Sequence, residues 1–309
     1  MLQKGFIHVA ASAVLLCAGA ANADMTIGVS MSQFDDAWLS VLRQGLTDAA
    51  AAEPGGVKIQ FVDARADVNR QVDQVQDLVS KKIDALIVNP VDTAATSYLT
   101  KAAISAKIPL IYVNRRPDDL NLPDGVVTVT SDDVEAGEMQ AQFLADHLKG
   151  QGKVVVLLGD LANNATHNHT KGVSEVFKKY PGIKIIEEQT GVWQRQKGMD
   201  ITNDWLTQGQ NFDAVLSYND EMGIGAAMAL KQAGVASGKV LVTGSDGTPD
   251  GLYAVKTGML SVSLYQDAKA QAKQAIEAAV KMAHGEKISP QAIYVPYRLI
   301  TADNADTFK

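Results

Sequence analysis

Hydrogen-bonding side chains recur at the ends of short apolar runs along this chain. The residues concerned are Asp35, Asp36, Asp63, Asn89, Asn114, Arg115, Asp132, Asn219, Asp246 and Gln266. Ionised carboxylates are strong hydrogen-bond acceptors, and carboxamides both donate and accept. Asn and Asp also cap helices and form turns, so each residue alone is equally well explained by local structure. Their repetition, together with the flat apolar faces of Trp38 and Trp193, favours one shared polar site for a small ligand.

Residue patterns typical of enzymes are absent from the sequence. There is no Gly-x-Ser-x-Gly elbow, no Gly-x-x-x-x-Gly-Lys phosphate loop and no His-Glu-x-x-His pair. The doublets Asp35/Asp36 and Asp132/Asp133 contain two carboxylates each, but adjacent side chains usually point apart. We therefore predict that the chain is not an enzyme and that it uses no cofactor.

His167 and His169 raise the question of a metal site. On a strand their side chains would share a face, and a third ligand would complete a zinc site. No Cys and no nearby Glu or His supplies that ligand. We therefore predict that the chain binds no metal and that both rings serve as hydrogen-bonding groups.

Short apolar runs alternate with longer amphipathic stretches, which indicates strands separated by helices. Strands are predicted at Thr26–Met31, Lys58–Asp63, Ala85–Asn89, Leu110–Asn114, Val126–Thr130, Lys153–Gly159, Lys184–Gln189, Ala214–Tyr218, Val240–Ser245 and Met259–Leu264. Helices are predicted at Trp38–Ala52, Val68–Lys81, Ala94–Ala103, Thr170–Tyr180, Lys197–Gln208, Met222–Gln232, Pro249–Lys256 and Lys269–His284.

Buried strands that alternate with helices form parallel sheets with right-handed crossovers. Two such rounds predict an α/β fold with two similar doubly wound lobes, joined near Ser131–Asp132. Ligands bind such sheets where the carboxyl ends of the strands meet the following loops. The polar residues that follow the strands are therefore expected to converge.

The first residues are typical of an export signal. Lys4 supplies a positive charge, Phe6 to Ala20 is mostly apolar, and Ala21-Asn22-Ala23 is a small-x-small cleavage pattern. The apolar run is shorter than the roughly 20 residues that span a bilayer. We expect cleavage after Ala23, which would also remove Cys17, the single cysteine. The net charge of −7 and the lack of a basic stripe argue against a nucleic-acid partner.

An ordered set of motifs resembles the periplasmic pentose- and hexose-binding protein family across nearly the whole mature chain. The motifs are Ile27-Gly-Val-Ser, Phe34-Asp-Asp-Ala-Trp-Leu, Leu86-Ile-Val-Asn-Pro, Val113-Asn-Arg, Tyr218-Asn-Asp-Glu-Met, Gly244-Ser-Asp-Gly and Leu264-Tyr-Gln. The resemblance implies the type I periplasmic binding protein fold. The implied lobes are 24–131 with 267–296 and 132–266 with 297–309, joined by a hinge.

The resemblance also implies which residues contact the ligand. They are Asp36, Trp38, Asn89, Asn114, Arg115, His169, Trp193, Asn219, Asp246 and Gln266. Trp38 and Trp193 would sandwich a sugar ring, and the charged and amide groups would bind its hydroxyl rim.

The departures from the family pattern concern the loop after the first strand of the second lobe. His169 stands where many members have Arg, Asn163 where glucose and galactose binders have His, and Ala165 where they have Asp. These changes favour an inositol or a rhizopine-like ligand over glucose or galactose. The stretch 147–153 has no carboxylate, so we predict no calcium.

We therefore expect a monomeric periplasmic protein that captures a monosaccharide or cyclitol for the membrane permease of an ABC importer. Two alternatives stay open. One is an effector-sensing domain related to sugar-responsive repressors, although these carry a helix-turn-helix headpiece where this chain has a signal sequence. The other is a protein that presents its ligand to a chemoreceptor.

Overall fold

The computed structural model describes residues 25–308, so the predicted signal peptide and Lys309 lie outside the described residues. The strands are β1 Met25–Met31, β2 Val57–Asp63, β3 Ala85–Val88, β4 Leu110–Val113, β5 Val126–Thr130, β6 Gln151–Leu158, β7 Gly182–Thr190, β8 Ala214–Ser217, β9 Leu241–Val242, β10 Ser263–Tyr265, β11 Ala292–Tyr294 and β12 Arg298–Ile300. The helices are α1 Ala37–Ala52, α2 Val68–Ser80, α3 Thr96–Ser105, α4 Asp133–His147, α5 Asn164–Phe177, α6 Arg195–Thr207, α7 Asp220–Gln232, α8 Pro249–Lys256 and α9 Ala268–Ala283. Two 3-10 turns lie at Thr93–Ala95 and Ala305–Thr307.

The first lobe is built on a six-stranded parallel sheet in the order β11-β5-β4-β3-β1-β2. Every residue of β3, β4 and β5 is buried. Strands covered by helices on both faces read as continuous apolar runs, which is why these segments were predictable. The helix α9 packs on α1 and on β3, β4 and β5, so late residues complete this lobe.

The second lobe contains a four-stranded parallel sheet in the order β7-β6-β8-β9. Single parallel bridges, Thr243 to Val262 and Asp246 to Tyr265, place β10 beside β9. Strand β12 then pairs with β10 in antiparallel fashion. The α/β class with parallel sheets in two lobes, predicted from the sequence, is confirmed.

Three segments of the chain pass between the two sheets. They lie between β5 and α4, between β10 and α9, and between β11 and β12. Near the first crossing, Gln271 Nε2 donates to Ser131 Oγ at 3.0 Å. Three parallel crossings allow rotation of one lobe against the other while restricting other movements.

Each lobe has its own apolar core. The core of the second lobe includes Trp205, which is 3% exposed and packs edge-on against Phe212 with ring centroids 6.4 Å apart. Trp205 therefore serves core packing and not the cavity. Glycines bring α4 and α5 into close contact, because a β-carbon on Gly137 would lie 2.1 Å from the carbonyl oxygen of His169.

The structure differs from the predicted elements at two helices and at the late strands. Strands β11 and β12 were not predicted, because three residues are too few to show a period, and β10 begins at Ser263 and not at Met259. Helix α4 was not predicted, because buried Gly137 and Gln140 interrupt the apolar periodicity of its inner face. Helix α5 was predicted to begin at Thr170 but begins at Asn164, because Asn, Thr and His are weak helix formers and indicate a loop. Within residues 25–308, no helix is long and apolar enough to span a bilayer.

Candidate functional site

A cavity lies between the two lobes, where the carboxyl ends of both parallel sheets meet. Clefts between domains are common places for small-molecule sites. The cavity is lined by Asp36, Trp38, Leu39, Asn114, Arg115, Asp133, Ala165, His169, Trp193, Tyr218, Asn219, Ser245, Asp246, Gln266 and Tyr297.

Nine of the ten predicted site residues line this cavity, and Asn89 does not. The side chain of Asn89 is fully buried; its Oδ1 accepts from Ser32 Oγ at 2.6 Å and its Nδ2 donates to Asn114 Oδ1 at 3.1 Å. Asn89 therefore lies behind Asn114 and orients it. The polar character of Asn89 was readable from the sequence, but its position behind the cavity wall was not.

The first lobe contributes an acid and an indole from the start of α1. Asp36 caps this helix, with its Oδ1 accepting from the backbone N–H of Leu39 at 2.8 Å. Two residues later, Trp38 is 6% exposed and its Nε1 donates to the carbonyl oxygen of Gln266 at 3.0 Å. The cap and this bond fix both side chains relative to the hinge.

Arg115 is the guanidinium of the cavity. It is 9% exposed and its Nη1 donates to the carbonyl oxygen of Pro90 at 3.1 Å. Burial raises the pKa of Asp36, while the bond from Leu39 and the charge of Arg115 lower it. The carboxylate and the guanidinium therefore stabilise one another at the cavity wall.

Trp193 is held in place by three neighbours in the second lobe. Its Nε1 donates to Asn163 Oδ1 at 3.1 Å, and its carbonyl oxygen accepts from Asn219 Nδ2 at 3.1 Å. The six-membered part of the indole lies directly on Gly159, where an added β-carbon would be 2.0 Å from Cη2 and Cζ2. The glycine that follows β6 thus creates the space that the indole occupies.

His169 is a buried neutral ring on a helix, so the expectation that it shares a strand face with His167 was wrong. On α5 the two rings are about 200° apart around the axis, and only His169 is buried. Its Nε2 contacts Gln140 Oε1 at 2.8 Å, and its ring stacks on Tyr218 with centroids 4.1 Å apart. Burial lowers the pKa of His169 to about 3.

The tautomer of His169 follows from Gln140. The Nε2 of Gln140 donates to the carbonyl oxygens of Ser217 and Gly244, so its Oε1 is an acceptor. His169 therefore donates from its Nε2, which leaves Nδ1 as an acceptor. The ring of His169 is therefore a neutral acceptor in the lining of the cavity.

Asp133 and Tyr297 complete the hinge side of the cavity, and the sequence did not identify either as a site residue. Gln266 Nε2 donates to Tyr297 Oη at 2.7 Å, and Tyr297 Oη donates to Asp133 Oδ1 at 3.3 Å. Burial raises the pKa of Asp133 to about 7. The neighbouring Asp132 caps α4 and does not line the cavity, so only Asp133 of this pair belongs to the site.

Asp246 lines the cavity from the second lobe. Burial raises its pKa well above the usual range, and repulsion from Asp220 and Asp36 adds to this effect. Asp220 itself is tied down, because its Oδ2 accepts from the backbone N–H of Gly247 at 2.8 Å and its Oδ1 accepts from Ser263 Oγ. Asp246 is therefore the carboxylate with unused acceptor capacity at this end.

Three cavity residues adopt a backbone conformation that is unusual for side chains with a Cβ. Their φ angles are positive: 66° for Asn114, 67° for Trp193 and 140° for Asp246. Such conformations cost about 1–3 kcal/mol each and cluster at functional sites. Asn tolerates this region, but Trp does not favour it, so the packing around Trp193 must hold it there.

Comparisons with known proteins point to one family. A family model described as a periplasmic binding protein domain matches residues 27–287. The putative rhizopine-binding protein of Rhizobium meliloti is 43% identical over 310 aligned positions, which cover 99% of each chain. The xylitol-binding protein of Mycolicibacterium smegmatis is 34% identical over 289 positions, 93% of this chain and 80% of that protein. A solved ABC transporter solute binding protein from Bacillus halodurans with bound myo-inositol has a TM-score of 0.87 and 32% identity, and it covers 92% of this chain and 97% of its own.

Proposed function

The chain belongs to the periplasmic binding protein family, and we propose that it captures a cyclitol or a closely related polyol as the substrate-binding component of an ABC importer. The resemblance identified from the sequence is thereby confirmed. Inositol-like and rhizopine-like ligands are favoured over glucose and galactose. We propose that the protein binds its ligand without converting it.

One observation carries the proposal: the cavity combines two indoles with ionic and amide groups from both lobes. Trp38 and Trp193 line it from opposite lobes, and a ring with an apolar C–H face can pack on such surfaces. The carboxyl oxygens of Asp36 and Asp246 supply acceptors for hydroxyl donors. A hydroxyl buried without a partner costs about 1–3 kcal/mol, so a molecule with hydroxyls all round its rim fits this lining best.

The binding event is proposed to close the lobes about the three crossings. A ligand that contacts both lobes binds the closed state better than the open one, and only this difference can shift the equilibrium. The closed form would then dock on the membrane permease. We propose that the protein is exported to the periplasm, is cleaved after Ala23 and acts as a monomer.

The charges of the cavity narrow the ligand class further. Three acids, Asp36, Asp133 and Asp246, line the cavity beside the guanidinium of Arg115. Burial raises the pKa of all three and His169 is neutral, so the lining supplies too little positive charge to hold every acid ionised. A cyclitol that carries a protonated amino group would favour the ionised form of one of these acids and pair with it, whereas a neutral polyol would not.

The proposal is tested by isothermal titration of the mature protein with a panel of inositols, an amino-substituted cyclitol, linear polyols, hexoses and pentoses. We expect binding of at least one cyclitol, and weaker binding by at least tenfold in Asp246→Asn and Trp193→Ala. Tyr253→Ala is the matched control, because Tyr253 is 65% exposed on α8. Unchanged affinity in both site variants would show that the assigned cavity is not the binding site.

The amine hypothesis has its own discriminating measurement. An amino cyclitol and the inositol of the same ring are compared at low and high salt. The amine is expected to bind more tightly, and its affinity should fall in Asp133→Asn more than that of the neutral inositol. Equal affinities in the parent protein would contradict a role for these acids in binding an amine.

A further inference from the structure

A second set of contacts joins the two lobes outside the three crossing segments. We call it the latch, formed by Val91, Thr93 and Arg116 of the first lobe and by Ala162, Asn163 and Asn164 of the second. Thr93 N and Oγ1 both donate to the carbonyl oxygen of Ala162, at 3.1 and 3.3 Å. Asn164 donates from its backbone N to Thr93 Oγ1 at 3.1 Å and from Nδ2 to the carbonyl oxygen of Arg116 at 2.9 Å.

The latch is buried and lies outside the lining of the cavity. Thr93, Asn163 and Asn164 are 5%, 0% and 4% exposed. None of the latch residues lines the cavity. Because the bonds join groups on different lobes, separation of the lobes must break them, and they contribute to the closed state alone.

Asn163 connects this latch to the ligand cavity through the two ends of one amide. Its Oδ1 accepts from Trp193 Nε1 at 3.1 Å, and its Nδ2 donates to the carbonyl oxygen of Val91 at 2.9 Å. The two bonds fix the amide orientation, because the oxygen can only accept and the nitrogen can only donate. When the Trp193 indole occupies this position, the Nδ2 of Asn163 therefore points toward the first lobe.

We propose that Asn163 is a positioning residue: it couples the position of the Trp193 indole, which the ligand fixes, to formation of the latch bonds. The latch in turn sets the rate of ligand release. This inference rests on the proposed function. A ligand packed on Trp193 keeps the indole, and through it the amide, in the orientation that bonds to Val91. The ligand leaves only after these bonds break, whereas it enters before they form.

Asn163→Asp separates the two halves of this connection. The substitution keeps an acceptor for Trp193 Nε1 and places an oxygen against the carbonyl oxygen of Val91, so it breaks only the bond between the lobes. Asn211→Asp is the control for charge, because Asn211 is exposed in the second lobe. Thr93→Val removes the hydroxyl bonds from the other side of the latch, and Thr93→Ser retains them.

Stopped-flow tryptophan fluorescence with the tightest ligand of the panel gives association and dissociation rates. We expect Asn163→Asp and Thr93→Val to release the ligand about tenfold faster, the effect of one lost hydrogen bond, with association rates within about threefold of the parent. Asn211→Asp and Thr93→Ser should release at the parental rate. Melting temperatures without ligand should stay within a few degrees, since the open state lacks the latch.

The outcomes separate the two proposals. If the parent binds a cyclitol but Asn163→Asp and Thr93→Val release it at the parental rate, the coupling is wrong and the proposed function stands. Equal acceleration by Thr93→Ser and Thr93→Val would also overturn the coupling, because the hydroxyl would then be irrelevant. If the parent binds no member of the panel, the proposed function fails, and the coupling that rests on it fails as well.

Discussion

The replacement Gly159→Ala displaces the Trp193 indole from the surface of Gly159 without changing any polar group of the cavity. The added methyl carbon would lie 2.0 Å from Cη2 and Cζ2 and 2.5 Å from Cζ3 of the indole. Carbon atoms prefer separations of about 3.5–4.0 Å, so the ring must move by about 1.5 Å or more. The backbone of Gly159 itself does not have the positive φ that would strain alanine.

The magnitude follows from what the displaced indole loses. The Nε1 bond to Asn163 contributes about 0.5–1.5 kcal/mol, and the packing of the ring on the ligand about the same. Their sum, about 1–3 kcal/mol, corresponds to an affinity that is roughly 5-fold to 150-fold weaker. Calorimetry with the tightest ligand of the panel measures this change.

A double-mutant cycle supplies the control. In the background of Trp193→Ala there is no indole for the methyl group to displace, so Gly159→Ala should then leave the affinity unchanged. The reasoning is refuted if Gly159→Ala binds as tightly as the parent, or if it weakens binding equally in both backgrounds.

Two further predictions concern stability. Burial raises the pKa of Asp133 to about 7, so its protonated form, which stabilises the fold, is lost as the pH rises through that value. The ligand-free protein should therefore be up to about 2 kcal/mol more stable at pH 5.5 than at pH 8. Asp133→Asn should reduce this difference, as measured by denaturant titration. If the stability of Asp133→Asn depended on pH as strongly as that of the parent, this prediction would be contradicted. Gly137→Ala should lower the melting temperature by several degrees, because its β-carbon would lie 2.1 Å from the carbonyl oxygen of His169 and must separate α4 from α5. Differential scanning calorimetry measures this change. If Gly137→Ala melted at the parental temperature, the prediction would be wrong.

The interior strands of the sheets were predictable because their environment is uniform. Strands such as β3 and β4 are buried on both faces, so every residue is apolar and the run is visible without knowledge of its partners. The polar residue after each run then lies at the sheet edge by geometry alone. This explains why Asp36, Asn114 and Asp246 were found from the sequence, although their ligand contacts are still predictions.

Other parts of the site depend on contacts between distant segments, which no local pattern reports. Tyr297 reaches the cavity only because the third crossing brings it beside Asp133, 164 positions earlier in the chain. Gln140 is polar yet fully buried, since three partners satisfy its amide, and it therefore obscured helix α4. Asn89 shows the opposite case, in which a correctly identified polar residue supports the cavity wall from behind.

The late arrival of α9 and β11 in the first lobe has a consequence for biogenesis. The lobe starts at Met25, but its edge strand ends at Tyr294, and α9 packs on α1 more than 200 residues earlier in the chain. Domains fold as units, so the first lobe cannot finish folding while its last helix and strand are still unsynthesised. Almost the entire polypeptide must therefore be synthesised before the first lobe can complete its fold.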